Sequence, residues 1–444
     1  MSAEIINIQP EVYKRGGVYN QKTILKTHTE KIYACNKTDL TDSNNTSFPY
    51  KFDFPKNCIP STARLVARVR ACLSTTEVDL DGTTEKFVAT TATTHVAFKN
   101  GVLNNLFATE TIRDASSQEV SNLSSRDYTK ALAHLKYLLM SEKETKLMGI
   151  ASGFYSETND SVATTLNASF ETLNNLAGAA KLASPATFIG RPLSPFFENN
   201  DVLWFPFQFE MSRAANSEIV YNGGSATNPI KPIITQLYFL VDVVDQSSVK
   251  EPTKPVWYPL KNYNVEYEAL VAGEKSYSRR IDTTQRPHKV YMLMWRDAKH
   301  VIMNHDSHPN GLTNIRVVYT SKTNGTDTYS PSSEGYTVTT TSGAWTRGQD
   351  NAVRAYYETM EANNMLEKNS FDLDRYLATF RGDWFLCFDV SPDRLGYPTI
   401  VKEDGALRIE GTFDVNCAAA HVVFVVEYDT FYQVDGAGKI KKLM

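Results

Sequence analysis

Apolar residues recur at every second position in segment after segment of this chain, the period of a strand with one face buried. Tyr50, Phe52 and Phe54, with Phe48 before them, alternate with polar neighbours between residues 47 and 60. Arg64 to Arg70 alternates as well, setting basic side chains on one face of a strand. Phe205, Phe207, Phe209 and Met211 follow the same rhythm, and so do Leu237, Phe239, Val241 and Val243. Further strands are predicted over 264–270, 290–295 and 313–319. Near the C-terminus Trp384, Leu386, Phe388 and Val390 fall on one side, until Ser391-Pro392-Asp393 stops the ladder, because proline cannot donate to it. Leu407 and Ile409 alternate with Arg408 and Glu410, whereas Val422 to Val426 is apolar on both faces, as a central strand in a two-layer sandwich is.

Two kinds of segment interrupt this rhythm. Ser124 and Asp127 have capping-box spacing, and Ala131, Leu132, Leu135, Leu138 and Leu139 form an apolar stripe, predicting a helix within 124–148. A second helix is predicted over 164–182, and a third, capped by Asp350 and running through Asn369, with Val353, Tyr356, Tyr357 and Met360 on one face. Residues 246–259 hold three prolines among polar residues and read as the linker between two strand-rich units. The Gly/Ser/Thr-rich tract 320–342 reads as a surface loop. The resulting division is an N-terminal arm over 1–45, a first unit over 46–248 carrying the helical insertion, and a second unit over 249–444. The fold class is all-β.

A chain of 444 residues is long enough for two domains with cores of their own. Its 23 Tyr and 22 Phe suit strands joined by polar turns. The formal charge of −4 argues against a surface devoted to nucleic acid. Cys35, Cys58, Cys72, Cys387 and Cys417 are scattered without a C-x-x-C pair, so reduced thiols are expected rather than a zinc knuckle or a redox motif. No secretory signal opens the chain, and no run of roughly 18 apolar residues provides a membrane span.

No catalytic constellation stands out. G-x-S-x-G is absent, and Asn222-Gly223-Gly224-Ser225 lacks the lysine of a phosphate loop. His300, His305, Asp306 and His308 cluster in a fashion that suits zinc or copper, but their spacing matches no familiar metal signature and equally fits a polar hairpin tip. Glu410, Asp414, Glu427 and Asp429 are the carboxylates to check for glycoside hydrolysis, though alternation places them more simply on solvated strand faces and turns. Lys14, Arg15, Lys22, Lys26 and Lys31 in the arm can touch phosphate, with Glu4, Glu11 and Glu30 diluting that charge; an arm lacing neighbouring subunits together fits as well. No catalytic residue, cofactor or metal is expected.

Several motifs nevertheless share a family character. Gly382 runs into Phe388-Asp389-Val390-Ser391-Pro392-Asp393, Gly405-x-Leu407-Arg408-Ile409 precedes Phe413, and Glu427-Tyr428 is followed by Val434-Asp435. Phe98 to Phe107, Tyr128 to Phe154 and Arg286 to Tyr291 add looser matches. With these the chain resembles the double jelly-roll major capsid proteins of double-stranded DNA viruses, most closely those of Polinton/Maverick elements, adintoviruses and virophage-like genomes. The resemblance implies two consecutive jelly rolls, with Phe388, Asp389, Ser391, Pro392, Asp393, Gly405, Phe413, Glu427 and Tyr428 as structural motif residues. It implies a homotrimer of pseudo-hexagonal outline tiling an icosahedral shell, made in the host cytoplasm and located in the virion capsid. Neighbouring capsomers and penton or minor capsid proteins would be its partners, with at most weak contact to packaged DNA. The alternatives are a minor capsid, spike or carbohydrate-binding β-sandwich protein, and a sandwich glycosidase.

Overall fold

The computed structural model describes residues 4–6, 27–35, 49–73, 96–154, 186–222, 230–245, 255–296, 307–339, 344–366, 373–377, 383–391, 400–414, 417–436 and 438–443. The first half carries β1 (Glu4–Ile6), β2 (Thr27–Tyr33), β3 (Tyr50–Phe54), β4 (Arg64–Leu73), β5 (Val96–Phe98), β6 (Phe107–Arg113), β7 (Glu119–Leu123), β8 (Ala186–Gly190), β9 (Phe207–Arg213), β10 (Val220–Asn222) and β11 (Ile230–Val244). The second carries β12 (Val256–Leu270), β13 (Ser276–Thr283), β14 (Lys289–Arg296), β15 (Leu312–Ser321), β16 (Asp327–Ser330), β17 (Tyr336–Thr337), β18 (Leu386–Asp389), β19 (Ile400–Lys402), β20 (Gly405–Phe413), β21 (Ala420–Val434) and β22 (Ile440–Leu443). Two longer helices are α1 (Arg126–Leu138) and α2 (Asp350–Ala362).

Strand pairing repeats itself. In the first half the antiparallel sheets run β2-β11-β4-β8 and β3-β9-β6-β7; in the second they run β12-β21-β14-β18 and β13-β20-β15-β16. If the eight principal strands of each half are counted in chain order, both halves read 1-8-3-6 in one sheet and 2-7-4-5 in the other. Two four-stranded sheets wound in this way are a jelly roll. The chain therefore contains two consecutive jelly rolls.

Each roll closes on aromatic and branched side chains from the inner faces of its two sheets. In the first, Phe52 and Phe54 of β3 meet Phe239 of β11 at ring-centre distances of 4.9 and 5.2 Å, and Phe209 of β9 reaches the same ring at 5.6 Å. These edge-on contacts join the two sheets, in the geometry that aromatic quadrupoles prefer. In the second, Met292, Val423 and Val425 on one sheet belong to the same buried core as Ile315, Val317, Leu407 and Ile409 on the other.

The rolls are also interlocked. β12 and β21 pair over 15 positions, from Val256↔Val434 to Leu270↔Ala420, roughly 50 Å at the rise of a strand. Their outer ends leave the second roll and enter the first core, where Tyr258, Leu260, Tyr432 and Val434 are buried. Tyr258 lies 5.9 Å from Trp204, and the Tyr432 hydroxyl donates to the Val120 carbonyl at 3.0 Å. In return, α1 leaves the first roll and buries Ala131, Leu132 and Leu135 in the second core. Its Tyr128 hydroxyl donates to Asn264 Oδ1 of β12 at 2.7 Å.

Several expectations change on contact with the structure. Within residues 1–45, read as an arm, Thr27–Tyr33 pairs with β11 inside the first roll, and Glu4–Ile6 pairs with Ile400–Lys402 of the second half. The α1 cap is Ser125, whose hydroxyl accepts from the Tyr128 amide, rather than Ser124. The helix predicted over 164–182 lies outside the described residues. The linker is shorter than expected, because Val256–Leu270 is already strand and contains Pro259. Tract 320–342 contains β16 and β17 and buries Tyr336 and Val338. α2 turns Ala352, Ala355, Thr359 and Met360 inward and leaves Tyr357 exposed. Among the described cysteines Cys58, Cys387 and Cys417 are buried free thiols, and Cys35 is exposed. No helix among the described residues is long and apolar enough to cross a membrane.

Candidate functional site

Where the interlocked strands pass between the two rolls, a cavity of about 870 Å³ opens. Pro195, Glu198 and Asn199 line it from the first roll; Lys261, His288 and Asp429 line it from the second, and Arg354 and Glu358 from α2. Strand register explains why charged residues meet here. β12 sets Lys261 opposite Asp429, and β14 begins with Lys289 opposite Glu427, just after His288. Glu427 and Asp429 lie two apart on β21, so they share a face.

Glu427 is 1% exposed, which makes an unpaired charge there costly. Lys261 Nζ donates to its Oε1 at 2.8 Å and the Tyr291 hydroxyl donates to its Oε2 at 3.3 Å. Burial opposes ionisation of this carboxyl, yet His288, Lys261 and Lys289 beside it outweigh burial and bring its pKa down to about 2. Lys261 responds in kind: desolvation favours its neutral form, but Glu427, Glu198 and Asp429 raise its pKa above the usual lysine value. Tyr291 and Tyr263 are pushed well above the ordinary phenol value, first by burial and then by Glu427. The result is an ionised carboxylate and ammonium held among neutral phenols. Placing Glu427 and Asp429 on solvated strand faces or turns was therefore incorrect; partners more than a hundred positions away in the chain bury them.

The motif residues serve local architecture. Phe388 is in the second core. Asp389 Oδ1 accepts from the Ser391 amide at 2.9 Å and from its hydroxyl at 2.5 Å, so a side-chain turn ends β18. Gly405 is required where it stands, because a Cβ would overlap the Tyr319 ring, whose hydroxyl donates to the Glu403 carbonyl at 3.0 Å. Phe413 closes β20 with its amide on the Lys275 carbonyl, and Tyr428 is half-buried beside Glu427. Pro392 and Asp393 lie outside the described residues, as do His300, His305 and Asp306. His308 is buried with Nδ1 accepting from the Asn310 amide at 3.0 Å. The metal-capable group that the described residues do assemble is a different one: His288, Glu427 and Asp429.

No family model matches the sequence, and no curated protein is similar to it. Solved structures are more informative. The chain is similar to a structure from the Sputnik virophage determined by cryo-EM, with a TM-score of 0.61 and 10% identity over 96% of this chain and 91% of that one. It is also similar to the crystal structure of PBCV-1 VP54 fitted into a cryo-EM reconstruction of the virophage Sputnik, with a TM-score of 0.55 and 9% identity over 96% and 98% of the two chains. The PBCV-1 virus capsid matches with a TM-score of 0.55 and 10% identity over 96% and 99%. The fold is the double jelly-roll. At 9–10% identity few residues are in common, and the likeness is one of fold.

Proposed function

We propose that this chain is a major capsid protein, the repeating unit of an icosahedral shell around a double-stranded DNA genome. The observation that carries the reading is the double set of 1-8-3-6 and 2-7-4-5 sheets, interlocked into one body. Two similar rolls side by side present two similar edges, and three such chains around a threefold axis offer six, a pseudo-hexagonal tile. Sheets filled by Phe, Val and Tyr suit a load-bearing part. The division into 46–248 and 249–444, with the joint near residue 250, belongs to this reading.

The same reading places the protein in the virion capsid after synthesis in the host cytoplasm. Its partners are two further copies of itself, neighbouring capsomers and penton or minor capsid proteins. Contact with packaged DNA is weak and salt-sensitive at a formal charge of −4.

Light scattering on the purified chain, with negative-stain images of the same peak, tests the proposal. A stable species of three times the chain mass with a hexagonal outline is expected. A monomer at all concentrations would overturn it.

A further inference from the structure

His288 is 8% exposed, yet neither of its ring nitrogens has a hydrogen-bond partner. Buried polar groups are normally hydrogen-bonded, and an imidazole within ion-pair reach of two carboxylates but bonded to neither calls for a reason. Its Nδ1 lies 3.6 Å from Glu427 Oε1 and 3.5 Å from Asp429 Oδ2. Both separations exceed the 2.7–3.2 Å of a formed N–H···O bond. They do match another geometry. Two donor atoms each about 2.0–2.1 Å from a tetrahedral zinc ion stand about 3.4 Å apart.

We propose that His288, Glu427 and Asp429 form a binding site for a divalent transition-metal ion of the zinc type at the seam between the rolls. One imidazole nitrogen and two carboxylate oxygens are a donor set such ions accept. One ligating atom from each residue falls within 4.8 Å of the others, and rotation of a carboxylate completes the triangle. His288 and Asp429 both line the cavity, so water can take the fourth position. The three strands supplying or flanking these residues are consecutive in one sheet, which fixes the ligands before any ion arrives.

Lys261 is the ion's competitor. Its ammonium holds Glu427 Oε1 at 2.8 Å, and the side chain, 43% exposed, has the cavity to swing into when an ion displaces it. Lys289 is the other cation nearby, but its Nζ is already donated to the Ala362 carbonyl at 2.5 Å. A neutral residue at position 261 should therefore bind the ion more tightly, whereas a purely structural salt bridge would give no ion binding at all.

The test uses the full chain, stripped with chelator and titrated with Zn²⁺ by calorimetry, then with Co²⁺ by visible absorption. One ion per chain, with the intense d–d bands of a tetrahedral Co²⁺ site, is the expected result. H288A and D429N should each weaken binding at least tenfold, and K261Q should strengthen it. Absence of the Co²⁺ bands from the unaltered chain at saturating metal would overturn the proposal, and this readout does not depend on any variant folding. Unchanged stoichiometry and affinity in folded H288A would overturn it equally, because the ion would then sit elsewhere.

Discussion

The indole N–H of Trp295 donates to Nδ1 of His134 across 3.0 Å, joining a strand of the second roll to the helix contributed by the first. Both side chains are buried, at 5% and 1% exposure. The bond fixes His134 as the tautomer protonated on Nε2, and Lys130 from the same helix covers the indole ring at 4.7 Å. Trp295→Phe keeps a ring in place but deprives a buried acceptor of this donor. A loss of about 1–3 kcal/mol is expected, read as a lower urea midpoint. If the helix is a true tie between rolls, the variant should also separate the unfolding of the two halves. A midpoint equal to that of the parent would show that the tie contributes nothing.

Phe239 is completely buried and its ring meets those of Phe52, Phe54, Phe197 and Phe209. Phe239→Ala opens a cavity where the sheets of the first roll touch, at a cost of about 3–5 kcal/mol. Equilibrium denaturation followed by tryptophan fluorescence measures it. A cost below 1 kcal/mol would mean that this cluster is not the centre of the first core.

Gly405 and Tyr319 form a fitted pair across β20 and β15. Gly405→Ala forces its new methyl against the Tyr319 ring, and overpacking of this kind costs about 1–3 kcal/mol. Tyr319→Leu on its own loses a buried ring and its hydroxyl bond to the Glu403 carbonyl. The double variant should be more stable than the sum of the two losses implies, because residues in contact couple. Additive losses in a double-mutant cycle would contradict the assigned clash.

Acid sensitivity has a specific source at Asp114. Burial alone would raise this carboxyl's pKa, but the Ile440, Gln118 and Ser116 amides and the Ser116 hydroxyl together hold it below the usual value. A depressed folded-state pKa stabilises the protein above the unfolded value of about 3.9, and that stability is lost as pH falls through the folded one. Asp114→Asn should therefore be less stable than the parent at neutral pH, with the gap narrowing from about pH 5 to below pH 3. Urea midpoints across that range provide the check; a gap that widens toward acid would reverse the assignment.

Much of this fold was legible because burial has a period. Phe207, Phe209 and Met211, or Leu237 through Val243, announce strands with one dry face, and the all-apolar Val422–Val426 run announces a central one; the five are at most 1% exposed. Where size and burial part company, the pattern misleads. α2 lies close against β18, so small Ala352 and Ala355 face inward while Tyr357 stays outside. Pro259 looked like a breaker, but β12 is an edge strand, where a missing donor is tolerated. β16 and β17 span only 4 and 2 residues, too few to establish any alternation. The ionic cluster was hidden for a different reason. Glu427 and Asp429 were visible as carboxylates, whereas Lys261 and His288 reach them through strand register, which no local pattern encodes.

The long β12–β21 ladder has a mechanical consequence. Its 15 paired positions cross from one core into the other. A load pulling the rolls apart along the strands would fall on two covalent backbones at once, because each strand is anchored in both cores, with the ladder holding the pair in register. In a shell built as proposed, the joints between molecules would then yield to internal pressure before the joint within each chain.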